Sequence, residues 1–132
     1  MAIILPTTLG AAAAAAVINF WLANRIGRLR MSEKVSVGDG GHDLLGRRMR
    51  AQLNFAENVP FMLILLGLLE LARPGWWWLS IVAALYMLGR VLHGLGMDGG
   101  SIHWARVGGI AISMVTQLGL AIVAVLVLLK VV

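Results

Sequence analysis

One helical face carries the polar side chains that could bind a charged ligand. At about 100° per residue, five residues fall within roughly 80° of one another on a helix. They are Asp43, Arg47, Arg50, Asn54 and Glu57. An apolar segment, residues 61–69, follows directly, so the deeper of these groups would enter a membrane at a cost of at least about 2.5 kcal/mol each. Two explanations fit: an internal network in which Arg50 or Arg90 neutralises Glu57, or a site for an anionic, water-soluble ligand at the membrane boundary.

A second polar face follows later in the chain. Tyr86, Arg90, His93 and Met97 lie within about 60° on a helix, and Arg106 opens the last apolar run. A lone histidine on such a face is more often packed or hydrogen-bonded than catalytic. Arg106 at a helix start opposes the helix dipole, which suggests that it holds an anion. The alternative, that Arg106 is one more positive-inside anchor, carries equal weight.

Other chemistries have little support in the sequence. The three histidines, His42, His93 and His103, lie on different segments, and the chain has no cysteine, so we expect no metal site. No serine stands in a G-x-S-x-G context, and no G-K-[ST] follows the glycines of residues 38–41. Any thiol chemistry must therefore use a thiol supplied by another molecule.

Composition identifies the class of protein that must position these groups. Of the 132 residues, 60% are hydrophobic and only 13% are charged, with a mean hydropathy of +0.88. Soluble domains have about 25% charged residues, so the chain is predicted to be an integral membrane protein. Its net charge of +5 comes from basic residues that flank apolar runs. This arrangement follows the positive-inside rule and argues against a nucleic-acid partner.

The apolar runs predict an all-α, four-helix membrane bundle in a single domain, residues 1–132. The predicted helices are approximately 3–28, 43–72, 76–96 and 105–130. The first is interpreted as a spanning helix, not a cleaved signal, because its charges follow the apolar run. Seven of the eleven Lys and Arg residues lie between positions 25 and 50, which places the 1–2 loop, and with it the 3–4 loop, in the cytoplasm. At the far end, Glu70 is expected to pair with Arg73.

The chain resembles the MAPEG family, the membrane-associated proteins in eicosanoid and glutathione metabolism, and in particular its short bacterial members. Residues 50–60, RAQLNFAENVP, match the family's R-A-x-x-N-x-x-E-x-x-P signature. The segments Gly38–Gly41, Gly89–His93 and Arg106–Gly109 follow in the family's order and spacing. The resemblance therefore covers nearly the whole chain.

The resemblance implies a homotrimer, with twelve transmembrane helices in the assembly, that binds glutathione as a co-substrate between subunits near the cytoplasmic face. The implied glutathione-binding residues are Arg28, Arg50, Asn54, Glu57, Arg90 and His93. Arg28 would reach a carboxylate across the interface, and Arg106 would stabilise the thiolate as the catalytic residue. The implied setting is a bacterial inner membrane, with membrane lipid and a lipophilic small molecule as further partners.

The implied activity is a detoxifying transferase or peroxidase that adds the glutathione thiolate to lipophilic electrophiles or reduces lipid hydroperoxides. Met97 and Ile110 stand where catalytic relatives often carry tyrosine, and Asn58 replaces an aromatic residue. A non-catalytic lipid-binding or structural membrane protein with a degenerate glutathione site is therefore the alternative. A small transporter has less support, because the sequence shows no pair of broken helices.

Overall fold

A computed structural model describes residues 3–99 and 103–132 and shows four helices in that part of the chain. They are α1 (Pro6–Glu33), α2 (Asp43–Ala72), α3 (Trp78–Gly96) and α4 (Trp104–Leu128). All four are long and apolar enough to cross a membrane. The predicted all-α, four-helix membrane fold is thus confirmed.

The first helix is longer than predicted. It continues to Glu33 instead of ending near residue 28, and Lys34 terminates it with a left-handed φ of 56°. The arginines of its last turns end the apolar span but not the helix, because cations near a helix C-terminus interact favourably with the helix dipole. The α1 helix therefore carries its basic residues beyond the apolar span.

Glycine contacts set the separation between α3 and α4. A Cβ atom on Gly109 would lie 2.5 Å from the Gly89 carbonyl oxygen and 2.5 Å from the His93 nitrogen. A Cβ on Gly96 would lie 2.2 Å from the Arg106 nitrogen. Only glycine allows the two backbones to approach this closely. This contact brings the start of α4, with Arg106, beside the His93 turn of α3.

At the other end of the bundle, Glu70 binds α1 instead of Arg73. The Glu70 carboxylate accepts hydrogen bonds from the Thr7 and Thr8 amides, both at 2.8 Å, and from the Thr8 hydroxyl at 2.7 Å. Arg73 donates to the Val132 carbonyl at 2.6 Å. The prediction of a Glu70–Arg73 pair was therefore wrong. The free amides of a helix N-terminus offer a carboxylate converging donors and a favourable dipole, while Arg73 is engaged by the Val132 carbonyl.

Candidate functional site

Five of the predicted site residues line one cavity. The cavity has a volume of about 360 Å³ and lies among α2, α3 and α4. The predicted residues that line it are Arg50, Asn54, Glu57, His93 and Arg106. They are completed by three apolar side chains, Leu53, Met97 and Ile110. Both polar faces and the arginine at the start of α4 thus meet at one end of the bundle.

The helices present these groups with different exposure. Arg50, Glu57 and Arg106 are exposed, Asn54 is half-buried, and His93 is buried. Both ring nitrogens of His93 lack a hydrogen-bond partner among the described residues. The cavity therefore combines two accessible cations and one accessible carboxylate with an amide and an imidazole on its inner wall.

Arg90 lies behind the cavity and orients Asn54. It is 1% exposed, and its guanidinium donates to the Asn54 side-chain oxygen at 2.6 Å and to the Ser113 hydroxyl at 3.4 Å. Ser113 in turn donates to the Gly109 carbonyl at 2.7 Å. Arg90 thus joins α2, α3 and α4 and fixes the Asn54 amide. It was predicted to contact the ligand directly, but it does not line the cavity.

Glu57 has no ion-pair partner in the part of the chain that the structure describes, where every ion pair involves Asp98 or Glu33. The explanation in which Arg50 or Arg90 neutralises Glu57 was therefore wrong. Arg90 turns to Asn54 and Ser113, and Arg50 is exposed at the cavity wall. A carboxylate and two arginines are thus left facing the same space without mutual pairing, which is the charge pattern expected for a zwitterionic ligand.

Arg28 does not reach this cavity within one subunit. It is exposed near the end of α1 and does not line the cavity. Its predicted contact was one across a subunit interface, and a single chain neither makes nor excludes such a contact. Its role stays a prediction.

A cluster of arginines holds the end of α3, and the sequence pattern did not predict it. Asp98 pairs with Arg25 of α1 and with Arg48 of α2, which donates at 3.2 Å and 3.0 Å. Arg47, placed by the sequence in the first polar face, donates to the Met97 carbonyl at 3.1 Å. The sequence feature that could have predicted these ion pairs is a single acidic residue in a glycine-rich loop, at the same end of the bundle as a strongly basic loop.

The same contacts explain the titration of Asp98. Burial by itself would raise the pKa of this carboxyl group, but hydrogen bonds from Arg48 and the charge of Arg25 outweigh it and lower the pKa below its ordinary value. Asp98 therefore stays ionised. Its two ion pairs hold the chain directly after Met97, and Met97 lines the cavity.

Comparisons with known proteins agree with this architecture. The model of the MAPEG family matches residues 8–126. The inner membrane protein YecN of Escherichia coli strain K12 is 31% identical over 81 residues, which is 61% of this chain and 62% of YecN. YecN of Escherichia coli O6:H1 matches to the same extent. Less than two thirds of each relative's length is thus covered.

The family match spans most of the chain, and four membrane-spanning helices accompany the similarity to an inner membrane protein. The protein therefore belongs to the MAPEG family, as an integral, multi-pass inner membrane protein.

Proposed function

We propose that the cavity binds glutathione and that the protein transfers the glutathione thiolate to lipophilic electrophiles or uses it to reduce lipid hydroperoxides. The observation that carries the proposal is the convergence of Arg50, Glu57 and Arg106, unpaired with one another, on one cavity of about 360 Å³. Glutathione carries two carboxylates, one ammonium group and a thiol. Arg50 and Glu57 complement one carboxylate and the ammonium group, and Arg106 is left for the thiol.

Each of these residues binds a different group of glutathione. Arg50 holds a glutathione carboxylate, Glu57 accepts from the ammonium group, and the Asn54 amide, held by Arg90, bonds the peptide. His93 lines the inner wall of the cavity, and its two ring nitrogens are buried there. In a homotrimer, Arg28 of a neighbouring copy would supply a further cation. The 1–2 and 3–4 loops, at the same end, face the cytoplasm, where glutathione is available.

Arg106 favours the thiolate. A cation beside a thiol lowers the thiol pKa and increases the fraction of nucleophile. The thiolate sulfur then attacks an electrophilic carbon, a carbon–sulfur bond forms, and the leaving group departs with its electron pair. With a hydroperoxide, two glutathione molecules are oxidised to the disulfide while the oxygen–oxygen bond breaks to give an alcohol and water. The lipophilic substrate would enter from the membrane.

A second candidate is glutathione or lipid binding without turnover. Met97 and Ile110 line the cavity, and neither side chain can donate a hydrogen bond to the sulfur. In this version the protein is a binding or structural membrane protein that keeps the scaffold. The glutathione-binding form of this candidate differs from the first candidate only in whether Arg106 suffices to activate the thiol.

The purified protein in lipid nanodiscs tests both candidates. Glutathione binding is measured by calorimetry, the thiolate by ultraviolet difference absorbance, and turnover by conjugation of glutathione to an aromatic halide. We expect Arg106→Ala to lose turnover by about 100-fold or more, as for removal of an electrostatic stabiliser, and to lose little affinity. We expect Glu57→Ala to lose affinity. The control is Arg73→Ala, which removes an arginine at the opposite end of the bundle.

Each outcome separates the candidates. Binding without conjugation in the wild type would support the non-catalytic version. Equal losses of affinity and turnover in Arg106→Ala would refute the thiolate role. Absence of glutathione binding in a folded sample would refute both glutathione-dependent versions.

A further inference from the structure

A buried carboxylate lies at the end of the bundle opposite the candidate site. Glu70, at the end of α2, is 8% exposed. Its three donors are the Thr7 amide and the Thr8 amide and hydroxyl, and all three are neutral groups. In residues 3–99 and 103–132 it forms no ion pair. The start of α1 offsets about half a unit of charge through its dipole, so the site retains negative charge.

This carboxylate faces a second cavity. The cavity measures about 240 Å³, and Glu70 lines it together with Trp76 and Trp77. Thr7 and Ser80 also line it, with their hydroxyl oxygens 2.9 Å apart. The cavity is thus built from the start of α1, the end of α2 and the segment that leads into α3, and it is separate from the cavity of the candidate site.

These groups select one class of ligand. An anion would meet the carboxylate, and an apolar chain would leave it without a counter-charge. A metal ion would need more oxygen ligands than one carboxylate supplies, and the described residues contain no cluster of metal-ligating side chains. An organic ammonium group can bond to the remaining lone pair of the carboxylate and lie against an indole face.

We propose that this cavity binds a primary ammonium group, carried by a lipid headgroup or by a soluble amine. Tryptophans at the ends of membrane helices lie at headgroup depth, where the ammonium of an ethanolamine lipid would be available. The glutathione proposal does not involve this end of the bundle, so either proposal can be refuted without the other.

Native mass spectrometry of the protein from nanodiscs tests the site. Nanodiscs of phosphatidylglycerol alone are compared with nanodiscs of equal phosphatidylglycerol and phosphatidylethanolamine. We expect the wild type to retain phosphatidylethanolamine in preference. Trp77→Leu should reduce that retention about two- to fivefold, the value of an exposed cation–π contact. Trp104→Leu is the matched control, because Trp77 and Trp104 are both 73% exposed and lie at opposite ends of the bundle.

Removing the charge gives a second test. Glu70→Gln should lower retention further, while Glu33→Gln, which removes a carboxylate at the other end, should leave it unchanged. If Glu70→Gln fails to fold, the comparison of Trp77→Leu with Trp104→Leu still tests the proposal, because Trp77 is a surface residue. Equal retention of the two lipids by the wild type, or equal behaviour of Trp77→Leu and Trp104→Leu, would overturn a lipid-borne ligand.

Free ethanolamine distinguishes the two sources. Preferential retention of phosphatidylethanolamine that free ethanolamine displaces would place the lipid headgroup in this cavity and support a lipid-borne ligand. Ethanolamine binding, followed by tryptophan fluorescence and lost in Trp77→Leu, without preferential lipid retention would support a soluble amine. Failure of both ethanolamine and phosphatidylethanolamine to bind would refute the ammonium site.

Discussion

Replacing Asp98 with asparagine should destabilise the protein by about 2 kcal/mol. Asp98 is the acceptor through which Arg25 of α1 and Arg48 of α2 hold the segment after α3. Asparagine keeps one acceptor oxygen but loses the charge. The two guanidinium groups would then remain close together without a shared counter-ion.

The magnitude follows from the exposure of the three side chains. A hydrogen bond to a charged group contributes about 1.5–3 kcal/mol when buried, whereas an exposed ion pair contributes about 0.2–1 kcal/mol. The Asp98 side chain is 32% exposed, and those of Arg25 and Arg48 are 14% and 21% exposed. The contribution of Asp98 and its two arginines to the free energy of unfolding therefore lies between the buried and the exposed values. One bond from Arg48 can persist to asparagine, so the loss should fall near the middle of that range.

The assay is reversible unfolding in mixed detergent micelles, with Asp43→Asn as control. Asp43 is exposed in the first turn of α2, so its replacement should remove only a helix-dipole contribution of about 0.3–1 kcal/mol. A loss in Asp98→Asn no larger than in Asp43→Asn would refute the reasoning. A double-mutant cycle with Arg48→Met should give a coupling energy of about 1 kcal/mol or more.

The difference between the wild type and Asp98→Asn should also depend on pH in a defined direction. The folded-state pKa of Asp98 lies below its ordinary value of 3.8. Its contribution is therefore complete above that ordinary value and is lost as the pH falls through the lowered folded value. The wild type and Asp98→Asn should differ fully near neutrality and converge only in strong acid. A difference that disappears above about pH 5 would contradict the observed pairing.

Two further predictions concern the packing of α3 on α4 and the arginine behind the cavity. Gly109→Ala should cost about 1–3 kcal/mol in the same unfolding assay, because its Cβ would lie 2.5 Å from α3 backbone atoms, whereas Gly108→Ala has open space and should be neutral. Equal effects would refute the backbone contact. Arg90→Met should change stability by no more than about 1 kcal/mol, because relief of the desolvated cation offsets the lost bonds to Asn54 and Ser113. Its glutathione affinity, measured by calorimetry, should fall nonetheless, and a loss of stability above about 3 kcal/mol would show instead that Arg90 is a structural residue.

Much of the candidate site could be predicted from helical spacing. The period of an α-helix places Arg50, Asn54 and Glu57 on one face, and the structure lines one cavity with all three. The same period groups Arg90 with His93, but it does not show how deep each side chain lies. Arg90 is buried behind Asn54, because the close approach of α3 and α4 at their glycines leaves His93 at the cavity wall and Arg90 inside the bundle.

The sequence by itself determined four membrane spans, the helix ends to within five residues and the presence of a polar site at one end, because hydropathy and helical period are local properties of the chain. Only the tertiary structure decided the partners of the charged groups. Glu70 bonds to Thr8 of α1, and Arg48 bonds to Asp98, across 62 and 50 positions of sequence. Such choices depend on which helix ends meet in space, and no local pattern contains that information.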